Sequence, residues 1–170
     1  MQVSVARAED CRAIAEVHVS SWQQAYKGLL PEPYLASLSV RERETMWQSV
    51  IDNQLSHVLL ARDSGRVLGV VAYGKPRDDD VPARCMEIFA IYVHPDSWST
   101  GVGRRLWLTA LTQILSEGCT SITLWVFADN QRAIRFYERA GFLLQPGPLK
   151  QIERGGIALN ELRYLWCHPG

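Results

Sequence analysis

The chain has 170 residues, 47% of them hydrophobic, and its 18 Lys+Arg balance its 18 Asp+Glu for a formal net charge of zero. That length suits one domain with a sizeable core, the balanced charge argues against a nucleic-acid binder, and no apolar run approaches the roughly 18 residues of a membrane span. Met1-Gln2-Val3-Ser4 lacks the regions of a signal peptide and Cys11, Cys85, Cys119 and Cys167 form no C-x-x-C pair, so the expectation is one domain over residues 1–170, in a reducing cytoplasm, with free thiols and no metal site.

Val3 to Ala6 reads as a short strand. Glu9-Asp10 opens a helix, with its acids at the positive end. Ile14, Val17, His18 and Ser21 fall near one face of it, and Gly28 ends the segment. Leu29 to Pro33 is a turn and Tyr34 to Leu38 a helical turn or two. Ser39 with Glu42 three residues on makes a capping box for a helix from Val40 to about Asn53, which carries Met46, Trp47, Val50 and Ile51. His57–Arg62 and Arg66–Tyr73 form a hairpin about Asp63-Ser64-Gly65, and Gly69 marks a bulge. Gly74 to Ala83, with Asp78-Asp79-Asp80, reads as a solvated loop. The β-prone run Cys85–Val93 follows.

A helix from about Gly101 to Glu117 is apolar on two sides and should be packed on both. Ile122–Phe127 is a strand, and Asp129 or Asn130 caps the next helix. There Ala133, Phe136, Tyr137 and Ala140 recur at helical spacing, which puts Tyr137 on the inward stripe. Gly141 stops that helix. Phe142–Leu144 and Gln151–Arg154 flank a Pro146-Gly147-Pro148 interruption, Gly155-Gly156 is a turn, and Ile157–Trp166 is the last strand. The uneven alternation predicts an α/β (α+β) fold with a mixed sheet of about seven strands and about four helices.

The stretch Met86–Leu106 is a strand, a glycine-bearing loop and a helix start in succession. The first N–H groups of a helix lack intrahelical partners, and the aligned peptide dipoles add positive charge there. Ser99-Thr100-Gly101-Val102-Gly103-Arg104 therefore reads as a phosphate cradle, with glycines letting the ligand approach and Arg104 and Arg105 adding counter-charge. A dinucleotide fingerprint would need a third glycine where Leu106 stands, and the P-loop pattern is absent.

The segment Asn130–Phe142, NQRAIRFYERAGF, supplies Asn130, Ala133, Phe136, Tyr137, Gly141 and Phe142 in the pattern N-x-x-A-x-x-F-Y-x-x-x-G-F. With the loop before it, the chain resembles the GNAT superfamily of N-acetyltransferases, whose loop pattern is Q/R-x-x-G-x-G/A. Trp98 stands where that pattern has Gln or Arg, and Ser99 replaces a common glycine. The resemblance implies a mostly antiparallel sheet splayed between strands 4 and 5, acetyl-CoA as co-substrate and no metal. It implies that the amides of Ser99, Thr100, Gly101, Val102, Gly103 and Arg104 hold the diphosphate. The backbones of Ile91, Tyr92 and Val93 pair with the pantetheine arm as an added strand, and the N–H near Val93 receives the oxyanion. Asn130 bonds the pantetheine or nearby backbone, and Tyr137 lies near the thioester sulfur. A homodimer is a family-level expectation.

Acyl transfer from a thioester to an amine needs the amine deprotonated from a pKa of about 10.4, a donor for the oxyanion and a proton for the thiolate. Tyr137, with a phenol pKa near 10, suits the last task. Glu87, on the run Cys85–Val93, is the candidate base, since the resemblance implies a carboxylate there that works through water, against the alternative of a strand-end glutamate facing solvent. His94 titrates in a useful range but precedes a proline in a turn, as a surface histidine would. The acceptor site is expected between the first two helical segments and the final hairpin; Trp22, Tyr26, Tyr34 and Trp47, concentrated in the former, either line a pocket there or are packing aromatics. The activity implied is acetyl transfer to a primary amine of a small molecule, by direct attack in a ternary complex. The alternatives are a non-catalytic acyl-CoA sensor and a protein N-terminal or lysine acetyltransferase. The absence of a carboxylate in Leu124-Trp125-Val126 weakens the N-terminal reading.

Overall fold

The computed structural model describes residues 1–147 and 149–169. In chain order the elements are β1 (Gln2–Val5), α1 (Cys11–Ala25), α2 (Glu32–Ser37), α3 (Val40–Asp52), β2 (His57–Asp63), β3 (Arg66–Gly74), β4 (Cys85–Val93), α4 (Val102–Ser116), β5 (Ser121–Phe127), α5 (Gln131–Arg139), β6 (Leu143–Leu144), β7 (Lys150–Arg154) and β8 (Ile157–Cys167). Short 3₁₀ turns at Ala8–Asp10 and Pro95–Ser97 precede α1 and α4.

One sheet contains every strand, in the order β1-β2-β3-β4-β5-β8-β6, with β7 also on β8. The β4–β5 pair is parallel and the other pairs are antiparallel. Eight strands appear where about seven were expected, because the last edge is interrupted. Leu143–Leu144 pairs with Tyr164 and Leu165, whereas Lys150–Arg154 pairs with Ile157–Glu161 further along the same side of β8. Pro148, within the predicted interruption, lies outside the described residues. The fifth helix is α2, the segment read as a turn or two.

The β4–β5 ladder joins only Cys85–Ile88 to Ser121–Leu124. Beyond it the two strands run on to Val93 and Phe127 without pairing, so the sheet is split into a wedge. Leu106, Ala110 and Ile114 of α4 pack with Ile134 and Tyr137 of α5 on one face, against Val71, Ile88 and Leu124. On the other face Ile14 and Val17 of α1 and Trp47 of α3 pack on Leu60, Val70 and Ala72. A third cluster, Leu30, Leu35, Phe127 and Leu159 with Trp22, Tyr26 and Tyr34, joins α1 and α2 to β5 and β8.

Local chemistry accounts for the boundaries. Ser39 Oγ accepts the Glu42 amide at 3.2 Å and caps α3, which is the N-cap half of the expected capping box. Leu68 is the extra residue where the β2–β3 register shifts, beside Gly69. A Cβ at Gly69 would lie 2.9 Å from the Tyr92 carbonyl and 3.0 Å from Leu106 Cδ1, so this glycine lets α4 close on the sheet. The loop after β3 is largely exposed, as its three aspartates suggested, but it is anchored at two of them. Asp78 accepts from Trp125 Nε1 at 2.7 Å and pairs with Arg163 at 3.6 Å, and Asp80 binds Arg163 at 2.8 Å. The aspartates thereby tie the loop to β5 and β8. Among the described residues no helix is long and apolar enough to cross a membrane, and no group of three or more His, Cys, Asp or Glu is placed to hold a metal ion.

Candidate active site

The loop between β4 and α4 is a chain of tight turns. Ser97 N donates to His94 O at 2.8 Å, Trp98 N to Pro95 O at 3.1 Å, and Thr100 Oγ1 to Ser97 O at 2.7 Å. Ser99 (φ 63°) and Gly101 (φ 91°) are both left-handed, the conformation that glycine adopts without strain. The two loop glycines differ in purpose. Nothing lies within 4 Å of a Cβ built on Gly101, so its conformation alone requires glycine, whereas one on Gly103 meets Phe136 Cε2 at 3.3 Å. Gly103 thus serves the packing of α4 on α5 as well as an open cradle. The first intrahelical bond runs from Arg105 N to Gly101 O at 3.0 Å, which leaves the amides of Val102, Gly103 and Arg104 facing outward.

From this loop a cavity of about 810 Å³ runs between α4 and α5 into the wedge. It brings together Ile91, Val93, Ser99, Gly101, Gly103, Arg104, Asn130 and Tyr137, eight of the residues predicted from sequence. Thr100, Tyr92, Val102 and Glu87 do not line it. Val102 is buried in the α4 core, and Tyr92 turns to the opposite face, where its ring stacks on His18 at 4.3 Å between centroids. The cavity adds three groups that the sequence reading missed: Arg132, Arg135 and Arg139. Their spacing of three and four residues puts them on one face of α5, a signal present in the chain beside the motif. Neither these three nor Arg104 forms an ion pair or side-chain hydrogen bond among the described residues.

Tyr137 packs edge-on against Phe136 and Phe142 at 5.3 and 5.7 Å between centroids, with its residue 8% exposed. Burial, and then the charge of Tyr92, push its phenol above the ordinary tyrosine range, so the hydroxyl keeps its proton. Asn130 spends both ends of its amide within the chain: Oδ1 accepts the Ala133 amide at 3.1 Å, and Nδ2 meets Tyr26 Oη at 3.2 Å. The cap of α5 is thereby tied to α1 across the mouth of the wedge. His94 accepts the Asp96 amide at 3.3 Å beside Arg66, a loop role apart from the wedge.

On the opposite face, Glu87 is wholly buried rather than facing solvent. Its Oε2 accepts the Arg77 amide at 2.9 Å, and its Oε1 accepts Arg77 Nε at 3.0 Å together with Nη2. Above it, Trp22, Tyr26 and Phe127 pack together at 4.8 to 6.1 Å between centroids. Trp47 is core instead, donating from Nε1 to His18 Nδ1 at 3.2 Å. Burial, and then Arg43, push His18 down to about 3, so it is neutral with its proton on Nε2. Glu161 lies between Phe127 of β5 and Lys150 of β7 in the sheet register, and lines a second cavity of about 430 Å³ with Asp78, Trp125, Lys150 and Arg163. Its carboxylate has no hydrogen bond or ion pair among the described residues, and burial lifts it above the usual carboxylate range against the pull of Lys150, Arg77 and Arg154. Tyr26 is raised by burial and then by Tyr92, while its hydrogen bond with Asn130 pulls the other way. The β7–β8 turn meets α2 beside the aromatic cluster: the Tyr34 ring lies against Gly155, 2.7 Å from where a Cβ would be, and packs on Leu30, Leu35, Phe127 and Leu159.

Residues 21–142 match the model of the acetyltransferase (GNAT) family. An uncharacterized N-acetyltransferase of Bacillus subtilis, YuaI, is 32% identical over 165 residues, covering 96% of this chain and 91% of that protein. Among solved structures, the PaiA N-acetyltransferase of Thermoplasma acidophilum in complex with coenzyme A superposes with a TM-score of 0.73 at 20% identity, covering 96% of this chain and 98% of that one. The YncA protein of Salmonella typhimurium, solved with its cofactor acetyl-CoA, superposes with a TM-score of 0.71 at 19% identity, covering 98% of this chain and 92% of that one. Split sheet, glycine loop, Tyr137 helix and full-length relative agree: the chain belongs to the GNAT family and is an acetyltransferase.

Proposed function

We propose that the protein transfers the acetyl group of acetyl-CoA to a primary amine of a small molecule, by direct attack in a ternary complex. The observation that carries this is the single groove leading from the outward amides at 102–104 to the buried hydroxyl of Tyr137. In this reading the loop amides and the helix dipole of α4 hold the diphosphate, the backbone of Ile91–Val93 pairs with the pantetheine arm, and the N–H near Val93 receives the oxyanion. Tyr137 donates its proton to the departing thiolate. The acceptor enters from the opposite face, beneath the aromatic cluster of Trp22, Tyr26 and Phe127. The contact of Tyr34 on Gly155 roofs that side and supports a small acceptor over a protein chain.

The amine proton has two carboxylates on its side of the sheet. Glu87 already accepts three hydrogen bonds from Arg77 and serves in this reading to anchor the loop after β3. Glu161, unpaired and lifted by burial, is the better proton acceptor. Acetyl-CoA offered with a panel of primary amines, with thiol release followed by a colorimetric reagent, tests the activity. Tyr137→Phe is expected to lower kcat by about 10²-fold or more while acetyl-CoA affinity stays within about twofold. Unchanged turnover in that variant removes Tyr137 from its role. Tight acetyl-CoA binding with no turnover of any amine would favour a sensor instead.

A further inference from the structure

The family's loop pattern has Gln or Arg where this chain has Trp98, so one polar contact to the cofactor is missing from the loop. The groove shows what occupies that place. Trp98 is held rigidly: its Nε1–H donates to Val93 O at 2.8 Å and its backbone amide to Pro95 O at 3.1 Å. Over its ring, 4.1 Å from the centroid, lies the guanidinium of Arg132 from the first turn of α5. Both side chains line the groove, beside Gly101 and Arg104.

Arg132 is exposed, and no carboxylate pairs with it among the described residues. A flat guanidinium stacked on an indole keeps its N–H edge free while losing most of its torsional freedom. It then presents a planar donor fork suited to phosphate oxygens. Four unpaired arginines (104, 132, 135 and 139) on one cavity of a net-neutral chain mark a polyanion site. Of these, only Arg132 is fixed by a ring that belongs to the phosphate loop itself.

We infer that Arg132, oriented by Trp98, supplies from α5 the diphosphate contact that the family places on the loop at position 98. Trp98 is a positioning residue and Arg132 a cofactor-binding one. This rests on the acetyl-CoA reading above.

The test is binding, which needs no acceptor. Calorimetry compares CoA and 3′-dephospho-CoA, while pantetheine, which lacks the diphosphate, is titrated at millimolar concentration by ligand-observed NMR. Arg132→Ala is expected to weaken CoA and dephospho-CoA by about tenfold, in line with loss of one charge-assisted contact, and to leave pantetheine unchanged. Trp98→Phe keeps a stacking ring and should lose less than Trp98→Ala. The double variant Trp98→Arg/Arg132→Ala returns the cation to the loop and should regain most of the lost affinity. Matching thermal melts keep the comparison among folded proteins. An equal loss for pantetheine, a loss confined to CoA with dephospho-CoA unaffected, or no recovery in the double variant would each overturn the inference. Failure of the wild-type chain to bind CoA would instead overturn the acetyl-CoA reading itself.

Discussion

Glu161 and Glu87 show how two residues of one type, on one face of one sheet, come to differ. Glu87 is buried and saturated by the side chain and amide of Arg77, so its negative charge is already spoken for. Glu161 is half-buried and unpaired, so burial raises its proton affinity. A base works in its deprotonated form, so kcat/KM should fall as pH drops through a carboxyl pKa above the usual range of about 4.3. Glu161→Gln should abolish that acid limb and slow turnover at neutral pH by about 10²-fold, as read in pH–rate profiles with any amine that supports turnover. An acid limb that survives unchanged would clear Glu161 of the role. Tyr137, Asn130 and the loop glycines were legible as residues because they form fixed spacings within one segment. Glu161 and the Arg77–Glu87 pair were not, because partners on different strands carry no shared spacing.

At the scale of elements, the joints are made by absent side chains and by one buried ion pair. Gly69 faces the Tyr92 carbonyl, which is backbone and cannot swing aside. Gly69→Ala should therefore cost about 1–3 kcal/mol, a drop of roughly 2–4 °C in Tm for each kcal/mol in a chain of this size. Arg77→Ala removes the partner of a wholly buried carboxylate. Its cost should exceed the ~1 kcal/mol of an exposed pair, yet stay below the ~3–5 kcal/mol of a fully buried one, because the Arg77 side chain is itself 59% exposed. Denaturant melts of the two variants check both values. The helices and the central hairpin were legible from caps, turns and periodicity. The loop at Asp78–Asp80 was legible as exposed, but its anchoring through Asp78 and Asp80 was not, since Trp125 and Arg163 lie far along the chain. The interrupted edge on β8 was read as two short runs but undercounted as strands.

Across the whole molecule, the proposed reading puts coenzyme and acceptor on opposite faces of the split sheet, with Tyr137 on one side and Tyr92 on the other. The general topology was legible through two motifs in order, and the acceptor side was expected between the first helical segments and the last hairpin; the Tyr34–Gly155 contact that joins them was not, because residues so far apart in the chain share no spacing. One buried group links this architecture to acid stability. His18 titrates near 6.5 when unfolded and near 3 when folded. Between those values the unfolded chain binds the extra proton, so stability falls as pH falls through that window, by about 1.4 kcal/mol per unit at most. His18→Gln, which keeps an acceptor for Trp47, should flatten the drop in Tm between pH 6.5 and 4 relative to the parent. Parallel curves for the two proteins would show that other groups govern acid unfolding.

In the proposed reading, the meeting of Tyr34 with Gly155 sets how this scaffold can change its trade. The seal is one ring resting on one bare α-carbon, at a turn outside the inherited signature segments. Lengthening that turn, or adding a methyl group there, would prise open the roof while the coenzyme-holding half stayed as it was. A lineage built on this plan can therefore exchange customers by editing a single bend.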